Sequence, residues 1–206
     1  MNLRTTLGAW LASIVVVTAC SVAVAGPISR EFGPNLVTNG SFENTTTVAG
    51  SGWTVSGAFT SEGFDYFIDT NPADAEQGNR SFAGGAIGGL GFISQDLVTV
   101  PGVDYNIHVW LANLSGFSDG TAIQVLWGGN LVYSATDILG FGYREIVIDP
   151  LASSTLTRLS IGLQNDSFFL NVDNIAVRAV PEPATLALLL GGVVVGALAR
   201  RRRTLS

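Results

Sequence analysis

The sequence contains very little cysteine, histidine and lysine. Its 206 residues include one cysteine, Cys20, one histidine, His108, and no lysine. A single cysteine excludes an intrachain disulfide and a zinc site built from several cysteines. Most metal hydrolase centres use more than one histidine, so the lone histidine argues against that chemistry as well. A functional site would have to rest on other residue types.

Charge is also scarce, and one sign dominates the middle of the chain. Charged residues make up 13% of the sequence, against roughly a quarter in an average soluble protein. All ten basic residues are arginines, and four of them form the run 200–203. From Gly26 to Val180, five arginines stand against fifteen acidic residues, a formal net charge of −10. Such a field repels nucleic acid and disfavours anionic membrane surfaces, whereas divalent cations and neutral glycans remain compatible partners.

The first 25 residues have the layout of a secretory signal peptide. Arg4 precedes a mostly apolar stretch at 7–17, and small residues lead to Ala-Val-Ala at 23–25. An A-x-A ending of this kind is typical of a signal peptidase site. Two alternatives stay open. One is a lipobox at 17–20 that would lipidate Cys20, and the other is an uncleaved N-terminal membrane helix.

The other end carries a second targeting pattern in three parts. A charge-free, mostly apolar run at 184–199 lies between a Pro-Glu-Pro segment and four arginines: Pro181, Glu182, Pro183, Arg200, Arg201, Arg202 and Arg203. A helix of this length spans roughly 24 Å, slightly less than a bilayer core of ~30 Å, and arginine side chains can snorkel to make up the difference. Arginines favour the cytoplasmic side, so the preceding domain would face outward. The sequence predicts a transmembrane segment at 184–199.

The order of these three parts over residues 180–206 resembles a PEP-CTERM sorting signal. In that family an exosortase-type membrane protease recognises the tail, which is removed or exchanged during export. The resemblance implies a precursor anchored in the inner membrane and a mature form at the cell surface or outside the cell. It also implies a bacterium of a kind that often makes exopolysaccharide. A plain C-terminal anchor helix is the alternative.

Between the two ends, residues 26–179 are predicted to form one all-β domain. Apolar residues come in short alternating runs, glycines are frequent, and no helical pattern is long enough to count. About nine or ten strands are expected, which is typical of a two-sheet antiparallel sandwich. Strands are predicted at 35–38, 92–100, 105–113, 121–127, 131–133, 143–148, 156–164 and 169–177, and near Trp53 and Phe64. The dipeptide Asn39-Gly40 predicts a tight turn after the first strand, as a hairpin or a bulge.

The segment 105–113 shows how the strands alternate. One face carries Tyr105, Ile107, Val109 and Leu111, and the other carries Asn106, His108, Trp110 and Ala112. We expect the first set to face the core. Trp53 and Trp127 are also predicted to be core residues, since Trp127 shares a face with apolar neighbours in its own strand.

The opening run 35–43 (Asn-Leu-Val-Thr-Asn-Gly-Ser-Phe-Glu), followed by Gly52-Trp53, resembles the first strand of galactose-binding-like jelly rolls. This is the fold of many carbohydrate-binding modules. Further pieces fit in order, at 78–82, 93–102, 105–111 and 169–177, and the last of them resembles the family's closing strand. The resemblance spans nearly all of residues 35–178 and implies a jelly-roll sandwich. Function does not follow from the fold, because one fold hosts many roles.

Many modules of that family hold a structural calcium ion where the first and last strands meet. Glu43 and Asp173 occupy the matching positions, so the resemblance implies that they are calcium ligands. Ca²⁺ takes roughly six to eight oxygen ligands, so two carboxylates cannot complete its shell alone. The acidic segment 74–76 is a candidate for a further ligand. The alternative is that all of these acids are solvated or cap local structure.

Sugar recognition usually needs an aromatic face flanked by hydrogen-bonding side chains. Trp110 is the candidate, with His108 and Asn106 beside it, because alternation places all three on the face opposite the core. The alternative is that a loop covers Trp110 as part of a second small core. A lone histidine is more often a hydrogen-bonded sheet residue than a metal ligand or a base.

Catalysis finds little support in the sequence. Glycoside hydrolysis needs two carboxylates at a set separation, and fifteen acids make some pair inevitable, so their presence discriminates nothing. No serine lies in a G-x-S-x-G motif, and the glycine-rich run 84–89 lacks the lysine of a phosphate loop. The sequence therefore predicts a non-catalytic exported protein that binds glycan or associates with exopolysaccharide. The alternative is a structural surface protein that acts through protein contacts.

Overall fold

The computed structural model describes residues 32–166 and 168–181, and nearly all regular secondary structure in this part of the chain is β-strand. The strands are β1 (Thr54–Gly57), β2 (Tyr66–Asp69), β3 (Ser81–Gly84), β4 (Gly91–Val98), β5 (Tyr105–Asn113), β6 (Thr121–Trp127), β7 (Asn130–Thr136), β8 (Phe141–Ile148), β9 (Leu156–Asn165) and β10 (Leu170–Ala179). Two short 3₁₀ helices, Val48–Gly50 and Pro72–Asp74, lie in the connections. The predicted all-β class is confirmed.

The strands form two antiparallel five-stranded sheets that pack face to face. Sheet I has the order β1-β4-β9-β6-β7, and sheet II has the order β2-β3-β10-β5-β8. From β3 onward, most consecutive strands lie in different sheets, as in a jelly roll. The last strand, β10, lies in the middle of sheet II between β3 and β5. The predicted two-sheet sandwich is therefore confirmed.

The core lies between the sheets and is built by alternate residues of their strands. In β6 every second side chain is buried and the intervening ones are half-buried. The predicted core face of β5 is buried as expected, with Tyr105 and Leu111 at its two ends. Trp53 and Trp127 are 4% and 3% exposed, which confirms both as core residues.

The predicted strand at 35–38 is wrong. This segment runs beside β10, and one of its backbone hydrogen bonds joins Leu36 N to Val177 O at 2.9 Å. The side-chain Oδ1 of Asn35 accepts the N–H of Val177 at 2.9 Å and that of Val37 at 3.0 Å. Because this side chain takes the place of a backbone acceptor, the segment does not continue as a regular ladder.

The predicted turn at Asn39-Gly40 is present, but neither flanking segment is a strand, so it is not a hairpin. Asn39 has a φ of +52° and its carbonyl accepts the N–H of Phe42 at 3.2 Å. A Cβ on Gly40 would lie 2.0 Å from the backbone oxygen of Ile175, which no side chain can tolerate. Glycine at this position therefore lets the N-terminal segment pack directly on β10.

Each end of the sandwich carries its own set of loops. At the end that we call the tail end, β4, β8 and β10 finish, and the loops 99–104 and 149–155 lie there. Val180 N donates to Asp104 O at 2.9 Å, so the chain leaves the domain from the tail end. The opposite end, called the far end, carries the loops 85–90, 114–120 and 137–140.

The predicted signal peptide at 1–25, the apolar run at 184–199 and the arginines at 200–203 lie outside the described residues. Within the ranges that the structure describes, no helix is both long enough and apolar enough to cross a membrane. The domain limits at 26 and 179 and the membrane span stay predictions.

Candidate functional site

Polar and aromatic side chains of the neighbouring strands β10, β5 and β8 lie together on the outer face of sheet II. Trp110 of β5 lies directly opposite Glu145 of β8 and Asp173 of β10. Trp110 is half-buried, on the side of the sheet away from the core. The predicted outward orientation of Trp110 is therefore confirmed, whereas its binding role stays a prediction.

A cleft of about 170 Å³, which we call the face cleft, opens beside Trp110. Its lining consists of His108, Trp110, Glu145, Asn174, Ala176 and Arg178. A register shift in β10 between Asp173 and Ala176 marks a bulge, and Asn174 within it has a φ of +45°. Bulges re-aim side chains, and here the irregularity contributes Asn174 to the cleft.

The sequence grouped Asn106 with this site, but the structure buries it beneath the cleft. Asn106 is 5% exposed and its Nδ2 donates to Asp149 Oδ1 at 2.6 Å. Its Oδ1 accepts a hydrogen bond from His108 Nε2. Asn106 thus holds the histidine ring in place and does not line the cleft.

His108 is fixed between two acceptors. Its Nδ1 lies 2.5 Å from Glu145 Oε1, and its Nε2 faces the amide oxygen of Asn106. The amide orientation follows from Asp149, which accepts from the Asn106 nitrogen. Both ring nitrogens of His108 are thus engaged by side-chain oxygens of the protein, so neither is turned toward a metal ion or a substrate in this arrangement.

The two predicted calcium ligands fasten the same segment, residues 74–80, at different points along it. Asp173 is fully buried, and its Oδ2 accepts the backbone N–H groups of Glu76 and Gln77, both at 2.8 Å. Its Oδ1 accepts the N–H of Asn174 at 2.6 Å. The carboxylate therefore ties this segment to the central strand of sheet II.

Glu43 performs the same task at the other end of the segment. Its Oε1 accepts the backbone N–H groups of Asn79 and Arg80, both at 2.7 Å, and the Arg80 guanidinium donates to the Glu43 carbonyl. Gly78, between the two anchored parts, has a φ of +77°, and a Cβ there would lie 2.5 Å from Glu43 Oε1. The close approach of this carboxylate therefore requires glycine at 78.

The carboxylates of Glu43 and Asp173 are surrounded by backbone N–H groups, which suit an anion and repel a cation. Amide hydrogens point at Glu43 Oε1 and at both oxygens of Asp173. The nearby acids also have protein partners, since Asp74 accepts from Asn71 Nδ2 and Glu76 accepts from Asn174 Nδ2. No group of three or more metal-ligating side chains occurs among the residues that the structure describes. The calcium site stays a prediction.

Burial changes the titration of Asp173. It raises the pKa of the carboxyl to about 6, above the ordinary 3.8, although three backbone N–H donors act in the opposite direction. Between these two values the folded protein holds a proton that the unfolded chain has released. The free energy of unfolding should therefore rise as the pH falls through 6 toward 4, and this contribution is lost as the pH rises above 6. It amounts to about 3 kcal/mol at most.

We expect urea unfolding in a chelating buffer to show this gain between about pH 6 and about pH 4. Asp173→Asn should flatten the profile over that range, because no proton is taken up at this site. Asp119→Asn, which changes an exposed acid at the far end, should keep the wild-type slope. Equal slopes for the wild type and Asp173→Asn would contradict the prediction.

A second and larger cleft, the edge cleft, lies between the edge strands β7 and β8. Its volume is about 500 Å³, and its lining includes Tyr133, Asp137, Phe141, Arg144 and Glu145. The Arg144 guanidinium carbon lies 4.4 Å from the centre of the Phe141 ring. The sequence did not indicate this cleft, because it forms only where edge strands of different sheets meet.

Comparison with known proteins supports the two resemblances drawn from the sequence. A family model described as the PEP-CTERM protein-sorting motif matches residues 179–203. No curated protein matches the chain. The motif implies export and a precursor anchored in the membrane by its C-terminus.

Solved structures share the fold of the described domain at low sequence identity. TmCBM61, solved in complex with beta-1,4-galactotriose, is 18% identical with a TM-score of 0.52, over 70% of this chain and 98% of its own. The CBM22-1 xylan-binding domain of Paenibacillus barcinonensis Xyn10C is 17% identical with a TM-score of 0.52, over 73% and 97%. The K3 cleaved adhesin domain of Lys-gingipain from Porphyromonas gingivalis is 10% identical with a TM-score of 0.51, over 70% and 98%.

The solved structures agree with the jelly-roll strand order of the domain, and the family model agrees with the Pro-Glu-Pro pattern of the tail. The structural likeness concerns the fold, and the family model concerns the last part of the chain. The chain therefore carries a PEP-CTERM sorting motif behind a jelly-roll domain with the fold of carbohydrate-binding modules.

Proposed function

We propose that this protein is an exported, exosortase-sorted surface or matrix protein whose jelly-roll domain binds glycan without cleaving it. The observation that carries the proposal is the half-exposed Trp110 ring in a cleft that also contains hydrogen-bonding groups. Solved domains of the same fold bind galactotriose and xylan. Extracellular polysaccharide is the ligand class that suits an exported protein of this kind.

The chemistry of the face cleft fits recognition of a sugar ring. An indole face packs against the C–H groups of a pyranose, and polar side chains around it fix the orientation through the hydroxyl groups. Glu145 and Asn174 supply acceptors and Arg178 supplies donors at the rim of the cleft. His108 restrains Glu145, so this acceptor is held in place before a ligand arrives.

The same cleft gives little basis for glycoside hydrolysis. Hydrolysis usually requires two carboxylates flanking the scissile bond. Glu145 is the one carboxylate among the residues that line the face cleft, and it is already bonded to His108. We therefore place the domain among binding modules.

A second candidate function is adhesion through protein contacts. It is favoured by the similarity to the gingipain adhesin domain and by the edge cleft, whose volume is about three times that of the face cleft. Edge strands offer unpaired backbone groups to a partner. In this alternative the face cleft binds no sugar and Trp110 stays a packing residue.

A polysaccharide pull-down and a glycan array, run on the folded domain with calcium and with a chelator, test the proposal. We expect binding to a defined glycan that survives the chelator, because backbone amides already occupy Glu43 Oε1 and both oxygens of Asp173. Binding that requires calcium would instead favour the predicted metal site. Circular dichroism in both buffers controls for unfolding. The absence of binding by folded protein in both conditions would favour the adhesion function.

A further inference from the structure

The tail end of the sandwich carries an exposed aliphatic surface. Four side chains on it, which together we call the tail-end patch, are Val98, Val100, Leu151 and Leu156, with exposures of 75%, 58%, 57% and 58%. Val98 lies directly opposite Leu156 in the β4–β9 pairing. The loops that hold the other two residues are joined by a hydrogen bond from Gly102 N to Ala152 O at 2.8 Å. The patch is therefore held by paired strands and linked loops.

The surroundings of the patch are nearly free of charge. The loops 99–104 and 149–155 contain two charged residues, Asp104 and Asp149, and no arginine. The nearest charged pair on the same face of sheet I is Asp96 with Arg158, whose Oδ1 and Nε lie 2.7 Å apart. Its charges cancel. The acidic field of the domain as a whole is thus weak around the tail-end patch.

The chain leaves the domain at this same end, a short distance before its apolar tail. Val180 is bonded to Asp104 in the loop beside the patch. Four residue steps separate Val180 from Ala184, the first residue of the apolar run, and they span at most about 14 Å. The interfacial layer on each side of a bilayer core is itself roughly 5–7 Å thick. If the apolar run enters the bilayer at Ala184, the tail end of the domain must lie close to the lipid headgroups.

We propose that the tail-end patch contacts the outer surface of the membrane that holds the sorting tail, with its four aliphatic side chains in the headgroup layer. The short connection sets the distance, and the patch provides an apolar surface at the matching position. Two acids beside the patch disfavour anionic lipid, so the contact depends on apolar insertion rather than on charge.

This contact has a consequence for the rest of the molecule. With the tail end against the lipid, the strands run away from the membrane and the face cleft opens sideways, clear of the bilayer. The Pro-Glu-Pro segment, which follows the domain at once, is held at the membrane surface where a membrane-embedded protease acts. The proposal goes beyond glycan binding and does not depend on it.

Lipid-borne quenching of a single fluorescent label tests the contact. The protein from Gly26 to Ser206 contains no cysteine, so a label at Ser153→Cys reports on the tail end and one at Asp119→Cys reports on the far end. The protein is placed in vesicles of phosphatidylethanolamine and phosphatidylglycerol that contain nitroxide lipids at headgroup depth. We expect quenching at least threefold stronger at position 153 than at position 119.

A pair of double variants separates the patch from the tether. Val98→Thr with Leu156→Thr removes apolar surface at the tail end, and we expect quenching at position 153 to fall by at least half. Ile87→Thr with Leu139→Thr removes comparable surface at the far end, where both residues are about 70% exposed, and should change nothing. Unquenched label at 153, or full quenching in the tail-end variant, would overturn the proposal. The first outcome would mean that protein covers the patch, and the second that the tether alone sets the distance.

Discussion

Replacing Trp110 with alanine is expected to weaken binding of the glycan found in the screen about 30-fold, with the domain still folded. Truncating a central aromatic residue of a binding surface costs about 2 kcal/mol, which corresponds to that factor. Trp110 lies on the outer face of sheet II, so its removal leaves the core between the sheets intact. Isothermal titration calorimetry gives the affinity, and thermal unfolding confirms the fold.

Two variants make this result specific. Trp110→Phe keeps a smaller aromatic face and should recover part of the lost affinity. Tyr133→Ala removes an aromatic ring from the edge cleft and should leave glycan affinity unchanged. If Tyr133→Ala abolished binding and Trp110→Ala did not, the edge cleft would be the glycan site and the assignment to the face cleft would be wrong.

Truncating Phe82 to alanine should cost about 3–5 kcal/mol of the free energy of unfolding, the typical cost of removing a buried aromatic ring. The Phe82 side chain is fully buried on β3. Its ring centre lies 5.8 Å from those of Phe42 and Phe59 and 6.2 Å from that of Tyr66. The cavity would open inside an aromatic cluster that joins the N-terminal segment to sheet II.

Urea unfolding measures the loss, and Phe64→Ala provides the matched control. Phe64 is 79% exposed, so the same chemical change should alter stability by less than about 0.5 kcal/mol. A loss below about 1 kcal/mol for Phe82→Ala would mean that the neighbouring rings close the cavity, and that the cluster is packed more loosely than its distances indicate.

The orientation of side chains within a strand was predictable, because it depends only on the period of two along the backbone. This is why the sequence correctly placed Trp110 on the outer face and Trp127 in the core. The same rule also placed Asn106 on the outer face, but it could not show that this side chain is covered. Its side chain is bonded to Asp149, which follows β8, and no local pattern contains that contact.

Side-chain contacts between different strands could not be predicted from the sequence. Glu145 lies 37 residues from His108, and their contact exists only because β5 pairs with β8 in one register. The strand error at 35–38 has a related cause. The apolar pattern there was correct, but the Asn35 side chain competes with the backbone for the N–H groups, and propensity does not report that competition.

The central position of β10 in sheet II sets the order in which the domain is completed. β10 is the last strand to be synthesised, and β3 and β5 each keep one unpaired edge until it is inserted between them. Its Asp173 also fixes Glu76, 97 residues earlier in the chain. Contacts of such separation form slowly, and open strand edges aggregate. A chain that emerges N-terminus first therefore remains an unfinished sheet until the residues next to the sorting motif emerge.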